Sequence, residues 1–157
     1  MTLRQNNKYI ALDAQGLVRQ IETTDNKIKP YCSKNVQKML EYIDFLKLSD
    51  SESIILTNER DPFLAAKILS QSNEVIVTMG ERGSLIYNQG HFFEIPAFPP
   101  DKMTDTTGCG DTYFAAYLYA RMQGENIKKS GLFAAAAASV KLSVFGGLTE
   151  KIYLSDY

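Results

Sequence analysis

Residues 105–111, with the sequence DTTGCGD, lead directly into a segment whose apolar residues have helical spacing. The first turn of a helix leaves backbone N–H groups without intrahelical acceptors, so a helix start can bind an anion. Gly108 and Gly110 would let the backbone approach a phosphate closely. The carboxylate of Asp111 would then lie beside that anion, where it suits a base that takes a proton from an attacking hydroxyl. The pattern therefore predicts a phosphoryl-transfer site at this helix start.

Two other interpretations of this stretch stay open. Asp111 could be a first-turn aspartate that only stabilises the helix dipole. Cys109, at a helix start, could be a nucleophile of lowered pKa, as in a cysteine-dependent redox or acyl-transfer domain. The single histidine, His91, lies in a predicted hairpin and not in the sequence neighbourhood of this thiol. We therefore expect Cys109 to serve as a small residue.

The composition is that of an ordinary globular domain. Hydrophobic residues make up 45% and charged residues 22%, and the formal net charge is −1. This balance predicts no binding to nucleic acid or to an anionic membrane surface. Two cysteines and one histidine offer neither a disulfide framework nor a histidine-cluster metal site. Residues 1–7 are polar and no apolar stretch follows, so we expect no signal peptide and a cytoplasmic, reducing setting.

Predicted strands and helices alternate along the chain. Apolar runs such as residues 74–78 predict strands, and segments of helical spacing predict helices, one of which opens with Asp-Pro at residues 61–62. Two apolar runs within residues 84–95 flank Asn-Gln-Gly, which predicts a hairpin. The last helix is predicted over residues 127–144. This order predicts a single α/β domain over residues 1–157, with a mostly parallel layered sheet, an antiparallel edge hairpin and helices on both faces.

Two helices carry candidate site residues at their starts. The helix after residue 110 repeats apolar residues at Phe114, Leu118 and Met122, and we expect it to end at Gly124. Residues 49–52, with the sequence SDSE, form a cap-like cluster before another apolar run.

The stretch 105–114 resembles the second signature of the ribokinase-like (PfkB) carbohydrate kinases, which reads Asp-Thr-x-Gly-Ala-Gly-Asp-x-Phe. Cys109 stands where that signature has alanine. In this family the last aspartate of the signature activates the sugar hydroxyl. The resemblance thus implies a ribokinase-like fold, with Asp111 as the catalytic base and an anion hole from the backbone of Gly108, Cys109 and Gly110.

Two further segments resemble the nucleotide-binding side of the same family. The turn that contains Thr78, Gly80 and Gly83 resembles its Thr-x-Gly-x-x-Gly turn, which implies contacts with the phosphates of ATP. Without the resemblance, this turn would be an ordinary connection from a strand to a hairpin. The alanine-rich last helix and the glycines after it resemble the segment beside the adenine and the cation loop, which implies nucleotide contacts at Ala135 and Gly146. Ala135 stands where the family often has asparagine or histidine.

The resemblance also implies metal ions. The SDSE cluster resembles the family's Asn-x-x-Glu motif, with Ser49 in place of asparagine, which implies that Glu52 helps to hold Mg²⁺ through water. By itself Glu52 fits a first-turn helix glutamate equally well. Asp105 and Thr107 would line a site for a monovalent cation such as K⁺ through their backbone carbonyls, and a plain turn is the alternative.

Together the motifs imply the C-terminal, nucleotide-binding part of a kinase that transfers a phosphoryl group from ATP to a hydroxyl of a sugar or polyol. Family members are longer, and their first part supplies a Gly-Gly sugar-binding motif and a lid that are not recognisable here. A sheet face without its lid would favour a homodimer or a partner chain. The alternative is a non-catalytic nucleotide- or phosphate-binding module derived from such a kinase. Whether this chain is active alone is a separate question.

Overall fold

The computed structural model describes residues 9–21, 28–30, 36–70, 74–100 and 102–146, and the polar residues 1–7 lie outside these ranges. Strands and helices alternate in the described chain as predicted. In chain order the elements are β1 (Ala11–Asp13), β2 (Arg19–Ile21), β3 (Ile28–Pro30), α1 (Val36–Leu40), β4 (Phe45–Ser49), α2 (Asp50–Thr57), α3 (Pro62–Leu69), β5 (Glu74–Thr78), β6 (Ser84–Asn88), β7 (His91–Ile95), α4 (Cys109–Met122) and α5 (Ile127–Leu142).

Within the described residues, five strands form one sheet in the order β1-β4-β5-β6-β7, and β2 pairs with β3 in an antiparallel ribbon. β1 and β4 run parallel, with Ala11 opposite Phe45. β6 and β7 are joined by only Gln89 and Gly90, and so short a connection requires an antiparallel pair. Both turn residues have positive φ, 47° and 89°, as a type I′ turn requires. The predicted α/β sheet with an antiparallel edge hairpin is confirmed.

The chain divides into two compact units. One consists of the described residues up to Val77 together with Tyr87–Phe92, and the other of Thr78–Ile86 together with the described residues from Phe93 onwards. Glu52 therefore belongs to the first unit, and Asp111 belongs to the second. The single domain over the whole chain stays a prediction.

In the first unit, the two longer helices begin with side-chain caps. At the start of α2, Ser49 Oγ accepts the N–H of Glu52 at 3.2 Å, and Glu52 Oε2 accepts the N–H of Ser49 at 2.8 Å. This reciprocal pair is a capping box. At the start of α3, Asp61 Oδ1 accepts the N–H of Phe63 at 3.0 Å, and Pro62 is the first helical residue. Both predicted helix starts are confirmed.

In the second unit, α5 packs against α4 and lies close to the hairpin strands. A Cβ atom at Gly131 would lie 2.6 Å from the side chain of Ile95 and 3.0 Å from that of Ile86. Any larger residue at this position would therefore require the isoleucine side chains to shift. Neither α5 nor another helix in the described ranges is long and apolar enough to cross a membrane.

The buried face of α4 differs from the predicted stripe. Met122 is 48% exposed, although its spacing from Phe114 and Leu118 predicted a core position. The hydroxyl of Tyr113 lies 2.6 Å from Ser84 Oγ, and burial raises the pKa of Tyr113 to about 12. Tyrosine can join the core here because its hydroxyl has a partner. The buried residues of α4 are Tyr113, Phe114, Tyr117 and Ala120.

Candidate active site

The start of α4 has no side-chain cap. Its N-cap residue, Gly108, has φ 76° and ψ 5°, and no side-chain capping hydrogen bond is made there. A Cβ atom on Gly108 would have only Lys141 Cε nearby, at 4.0 Å. Glycine is therefore required by the left-handed backbone and not by lack of space. The sequence builds a helix start that its own side chains leave uncovered.

The N–H groups of Gly108, Gly110 and Asp111 have no acceptor in the described part of the chain. The N–H of Cys109 donates to Thr106 O at 3.3 Å. Uncovered N–H groups at a helix start carry the positive end of the helix dipole and can bind an anion. The uncovered donors therefore differ from the predicted set of Gly108, Cys109 and Gly110, because the N–H of Asp111 also lacks an acceptor in the described residues and the N–H of Cys109 already has one. Their role as an anion hole stays a prediction.

Asp111 lies in the first turn of α4 with an exposed side chain. Among the described residues, none forms a hydrogen bond or ion pair with its carboxylate. An acid in this turn stabilises the helix dipole, and it also stands next to the uncovered N–H groups. The predicted role of this carboxylate as a base for a bound hydroxyl stays a prediction.

Cys109 has the surroundings of an unreactive thiol. Its Sγ atom is half-buried and donates to Asp105 O at 3.9 Å. Burial raises the pKa of the Cys109 thiol above 9.0, Lys141 lowers it, and the charge of Asp105 raises it again. Because the thiolate is the nucleophilic form, a raised pKa disfavours a cysteine mechanism.

Asp105 organises the turn before α4. Its Oδ1 accepts the N–H of Thr107 at 2.9 Å, and its Oδ2 accepts the N–H of Gly146 at 3.4 Å. These hydrogen bonds, with that from Thr107 the largest cause, hold the pKa of Asp105 below 3.8. Gly146, which the resemblance placed on the nucleotide side, therefore contacts the Asp105 turn.

Lys141 is buried beneath this turn, with only 3% of its surface exposed. Its Nζ lies 3.7 Å from Asp105 Oδ2, 3.5 Å from Asp105 O and 3.4 Å from Val144 O. The Asp105 carbonyl, predicted as a ligand of a monovalent cation, thus faces an ammonium group. The residues present do not fit a further cation at this carbonyl, because two positive charges would share the same oxygen atoms.

Lys141 was not predicted as a site residue from the sequence. A signal was present, since Ala134 and Ala137 lie seven and four positions before it and are buried on the same side of α5. A lysine that continues a buried alanine stripe requires an internal partner, and only the fold shows that this partner is Asp105.

The two glycines in the turn after β5, Gly80 and Gly83, differ in the space around them. Gly83 (φ 84°) lies so close to the end of β7 that a Cβ atom there would clash with Ile95 O, so close packing requires glycine there. Its predicted contact with the phosphates of ATP stays a prediction. Gly80 (φ 60°) is exposed, and no atom lies within 4 Å of its Cβ position. Thr78 ends β5 and is half-buried. Of the two glycines, Gly80 has the room to meet a ligand.

Glu52 and Ala135 are both buried. Glu52 is 6% exposed and closes the capping box of α2. In the described ranges, no group of three or more His, Cys, Asp and Glu side chains could hold a metal ion. Mg²⁺ usually keeps several waters and takes few protein ligands, so the predicted role of Glu52 does not depend on such a group. Ala135 belongs to the core of α5, and its nucleotide contact stays a prediction.

Residues 11–151 match the family model described as pfkB family carbohydrate kinase. The chain belongs to this family. The predicted resemblance is confirmed, and the signature at residues 105–111 lies inside the matched region.

Known members are similar to this pfkB-family chain in sequence and in structure. The nucleoside kinase of Methanocaldococcus jannaschii is 33% identical over 124 residues, which cover 76% of this chain and 39% of the relative. A pyrophosphate-dependent kinase in the ribokinase family, solved with a pyrophosphate analogue and myo-inositol, superposes with a TM-score of 0.78 at 29% identity, over 89% of this chain and 50% of that one. The ribokinase of Arabidopsis thaliana, solved with ribose and ATP, gives a TM-score of 0.65 at 30% identity, over 70% and 38%.

These similarities confirm the ribokinase-like α/β fold. They also show that this chain spans half or less of the length of these three relatives.

Proposed function

We propose that this chain carries the phosphoryl-transfer site of a pfkB-family kinase, which moves the terminal phosphoryl group of ATP to a hydroxyl of a sugar or polyol. The open start of α4 carries the proposal, because the N–H groups of Gly110 and Asp111 lack acceptors among the described residues and lie beside an exposed carboxylate. Two relatives support the substrate classes. One was solved with ribose and ATP, and the other with myo-inositol, a polyol.

Asp111 acts in this proposal as the general base. It takes the proton of the substrate hydroxyl while the hydroxyl oxygen forms a bond to the γ-phosphorus. The bond from that phosphorus to the bridging oxygen breaks, and ADP leaves. The N–H groups of Gly108, Gly110 and Asp111 stabilise charge on the transferring group. The protein needs to supply little further chemistry, because positioning and electrostatics provide most of the catalysis in phosphoryl transfer.

Nucleotide binding is assigned to the turn after β5 and to α5. Gly80 gives the backbone room to approach the phosphates, Thr78 lies at the carboxyl end of its strand, and Ala135 belongs to the segment beside the adenine. Mg²⁺ bound with ATP would neutralise phosphate charge, and Glu52 is the residue proposed to hold it through water.

A second copy of the chain or a partner chain is proposed to cover an apolar surface of the first unit. In the first unit, large apolar side chains are exposed on α3 and β7, and a cluster of this kind favours association. The rings of Phe63 and Phe92 lie 5.1 Å apart in this cluster. The exposed side chains are Phe63, Leu64, Ile68 and Phe92.

The test is ADP release from ATP by the 157-residue chain, at high protein concentration, with a panel of sugars, polyols and nucleosides. We expect release above the rate of ATP hydrolysis with at least one sugar or polyol. Pyrophosphate serves as a parallel donor, because one structural relative depends on it. Nucleotide binding without acceptor-dependent release would contradict the kinase proposal and identify a non-catalytic nucleotide-binding module.

A further inference from the structure

We propose that the ammonium group of Lys141 is a built-in cation for the turn before α4, and that it makes a bound monovalent cation unnecessary there. The proposal concerns the stability of the turn first. Only its consequence for catalysis rests on the proposed function.

The surroundings of Lys141 are those of a cation site made from oxygen atoms. One carboxylate oxygen and two backbone carbonyls lie 3.4–3.7 Å from Nζ. An ammonium group has three donors and no acceptor, so oxygen atoms on several sides satisfy it. A buried ammonium without them would be strongly destabilising.

The ammonium connects three segments of the second unit. Asp105 precedes α4, Lys141 belongs to the last turn of α5, and Val144 follows α5. Backbone bonds fasten the same junction, since Thr104 N–H donates to Leu142 O at 2.8 Å. A single positive charge thus holds the turn against the end of α5, which is the role that a bound cation would have there.

A second lysine of α5 shows what an ordinary surface pair is like. Lys129 forms an ion pair with Glu125, four residues earlier, at 2.9 Å, and its side chain is 45% exposed. Such a pair contributes little and is screened by salt. Lys141 differs because it is buried, because backbone carbonyls surround it, and because its carboxylate partner is 36 residues away in the chain.

The Lys141 side chain also lies close to the start of α4. Lys141 Cε is 4.0 Å from the Cβ position of Gly108, the N-cap of α4. A positive charge there stabilises an anion held by the N–H groups of that helix start. If the chain is the proposed kinase, its activity therefore requires no added K⁺, NH₄⁺ or Na⁺.

The test is the thermal midpoint of the chain in KCl, NH₄Cl, NaCl and choline chloride at equal ionic strength, without nucleotide or acceptor. The variants are Lys141→Met, whose side chain ends one atom short of the ammonium, and Lys141→Gln, which keeps amide donors without charge. Lys129→Met is the matched control on the same helix. Because no turnover is measured, the result does not depend on the proposed kinase activity.

We expect the midpoint of the parent and of Lys129→Met to be the same in all four salts. Lys141→Met should have a lower midpoint in choline chloride and regain about 2–4 °C in KCl or NH₄Cl, because a cation then binds the vacated oxygen atoms. A potassium-specific increase in the parent would overturn the proposal, even if both Lys141 variants failed to fold. Folded Lys141 variants with no cation-specific response would also overturn it and leave Lys141 as a structural ion pair.

Discussion

The starts of α2 and α4 are alike in sequence and opposite in chemistry. Each has an acidic residue in its first turn, Glu52 in α2 and Asp111 in α4. Glu52 turns back to the N–H of Ser49, and the serine hydroxyl covers the N–H of Glu52 in return. In α4 the N-cap is Gly108, which has no side chain to offer, and the carboxylate of Asp111 has no partner among the described residues.

The difference shows how the N-cap residue decides whether the side chains of a helix cap its first turn or leave that turn open to a ligand. A serine at the N-cap accepts one free N–H of the first turn, here that of Glu52, and typically stabilises the helix by about 1 kcal/mol. A left-handed glycine forgoes that stabilisation and leaves the donors for a ligand. The acidic residue of α4 is then an exposed carboxylate and not part of a cap.

Replacement of Asp111 by asparagine tests the chemical half of this comparison. Turnover in the ADP-release assay should fall by about 10²–10⁴-fold, because the variant has no base for the substrate hydroxyl. The thermal midpoint should change little, since the side chain is exposed and forms no hydrogen bond or ion pair with the described residues. Asp61→Asn is the matched control, because asparagine also accepts at an N-cap and α3 is not assigned to the site. Equal turnover in the two variants would contradict the proposed base.

Replacement of Gly108 by alanine tests whether the start of α4 depends on the left-handed backbone at its N-cap. The left-handed φ of 76° costs an alanine about 1–2 kcal/mol, which urea unfolding would measure. ATP titration followed by calorimetry should also show weaker binding, because the backbone of the anion site is strained.

Gly124→Ala is the control for this strain. Gly124 follows the other end of α4 with φ 87°, and no atom lies within 4 Å of its Cβ position. Both variants should lose similar stability, and only Gly108→Ala should lose ATP affinity. The same loss of affinity in both would show that α4 stability, and not the helix start, controls binding.

At the start of α2, two substitutions of Glu52 distinguish its role in the capping box from its predicted role in binding Mg²⁺. Glu52→Ala should reduce the free energy of unfolding by about 1 kcal/mol, whereas Glu52→Gln keeps an acceptor for the N–H of Ser49 and should stay near the parent. If Glu52 also holds hydrated Mg²⁺, Glu52→Gln should need more Mg²⁺ for half-maximal turnover. A parental Mg²⁺ requirement would leave Glu52 with the cap alone.

Local features were predictable because their partners are close in the chain. The capping box needs residues three positions apart, and the strand at residues 74–78 needs only its own apolar run. The ion pairs Lys141–Asp105 and Lys47–Asp13 join residues 36 and 34 positions apart, so no local pattern revealed them. The uncovered N–H groups at the start of α4 were predicted only in part, because the bond from Cys109 N–H to Thr106 O depends on the turn geometry.

The start of α4 also contains the thiol of Cys109, which α2 lacks. The difference between the two helix starts can be attributed to the N-cap and the acidic residue only if this thiol does not take part in turnover. Cys109→Ala should keep parental turnover, because a small side chain at this position is all that the site is expected to need. Stability should change by less than about 1 kcal/mol, since alanine is a good helix former.

Alkylation by iodoacetamide provides the matching measurement of reactivity, in a Cys32→Ala background so that Cys109 is the thiol followed. Burial raises the pKa of Cys109 above 9.0, so the thiolate is scarce at pH 7. Alkylation should therefore be slow at pH 7 and increase up to and beyond pH 9. Two results together would contradict this expectation: rapid alkylation at pH 7 that ATP blocks, and loss of turnover in Cys109→Ala. They would show that the thiol, and not the carboxylate of Asp111, is the reactive group at this helix start.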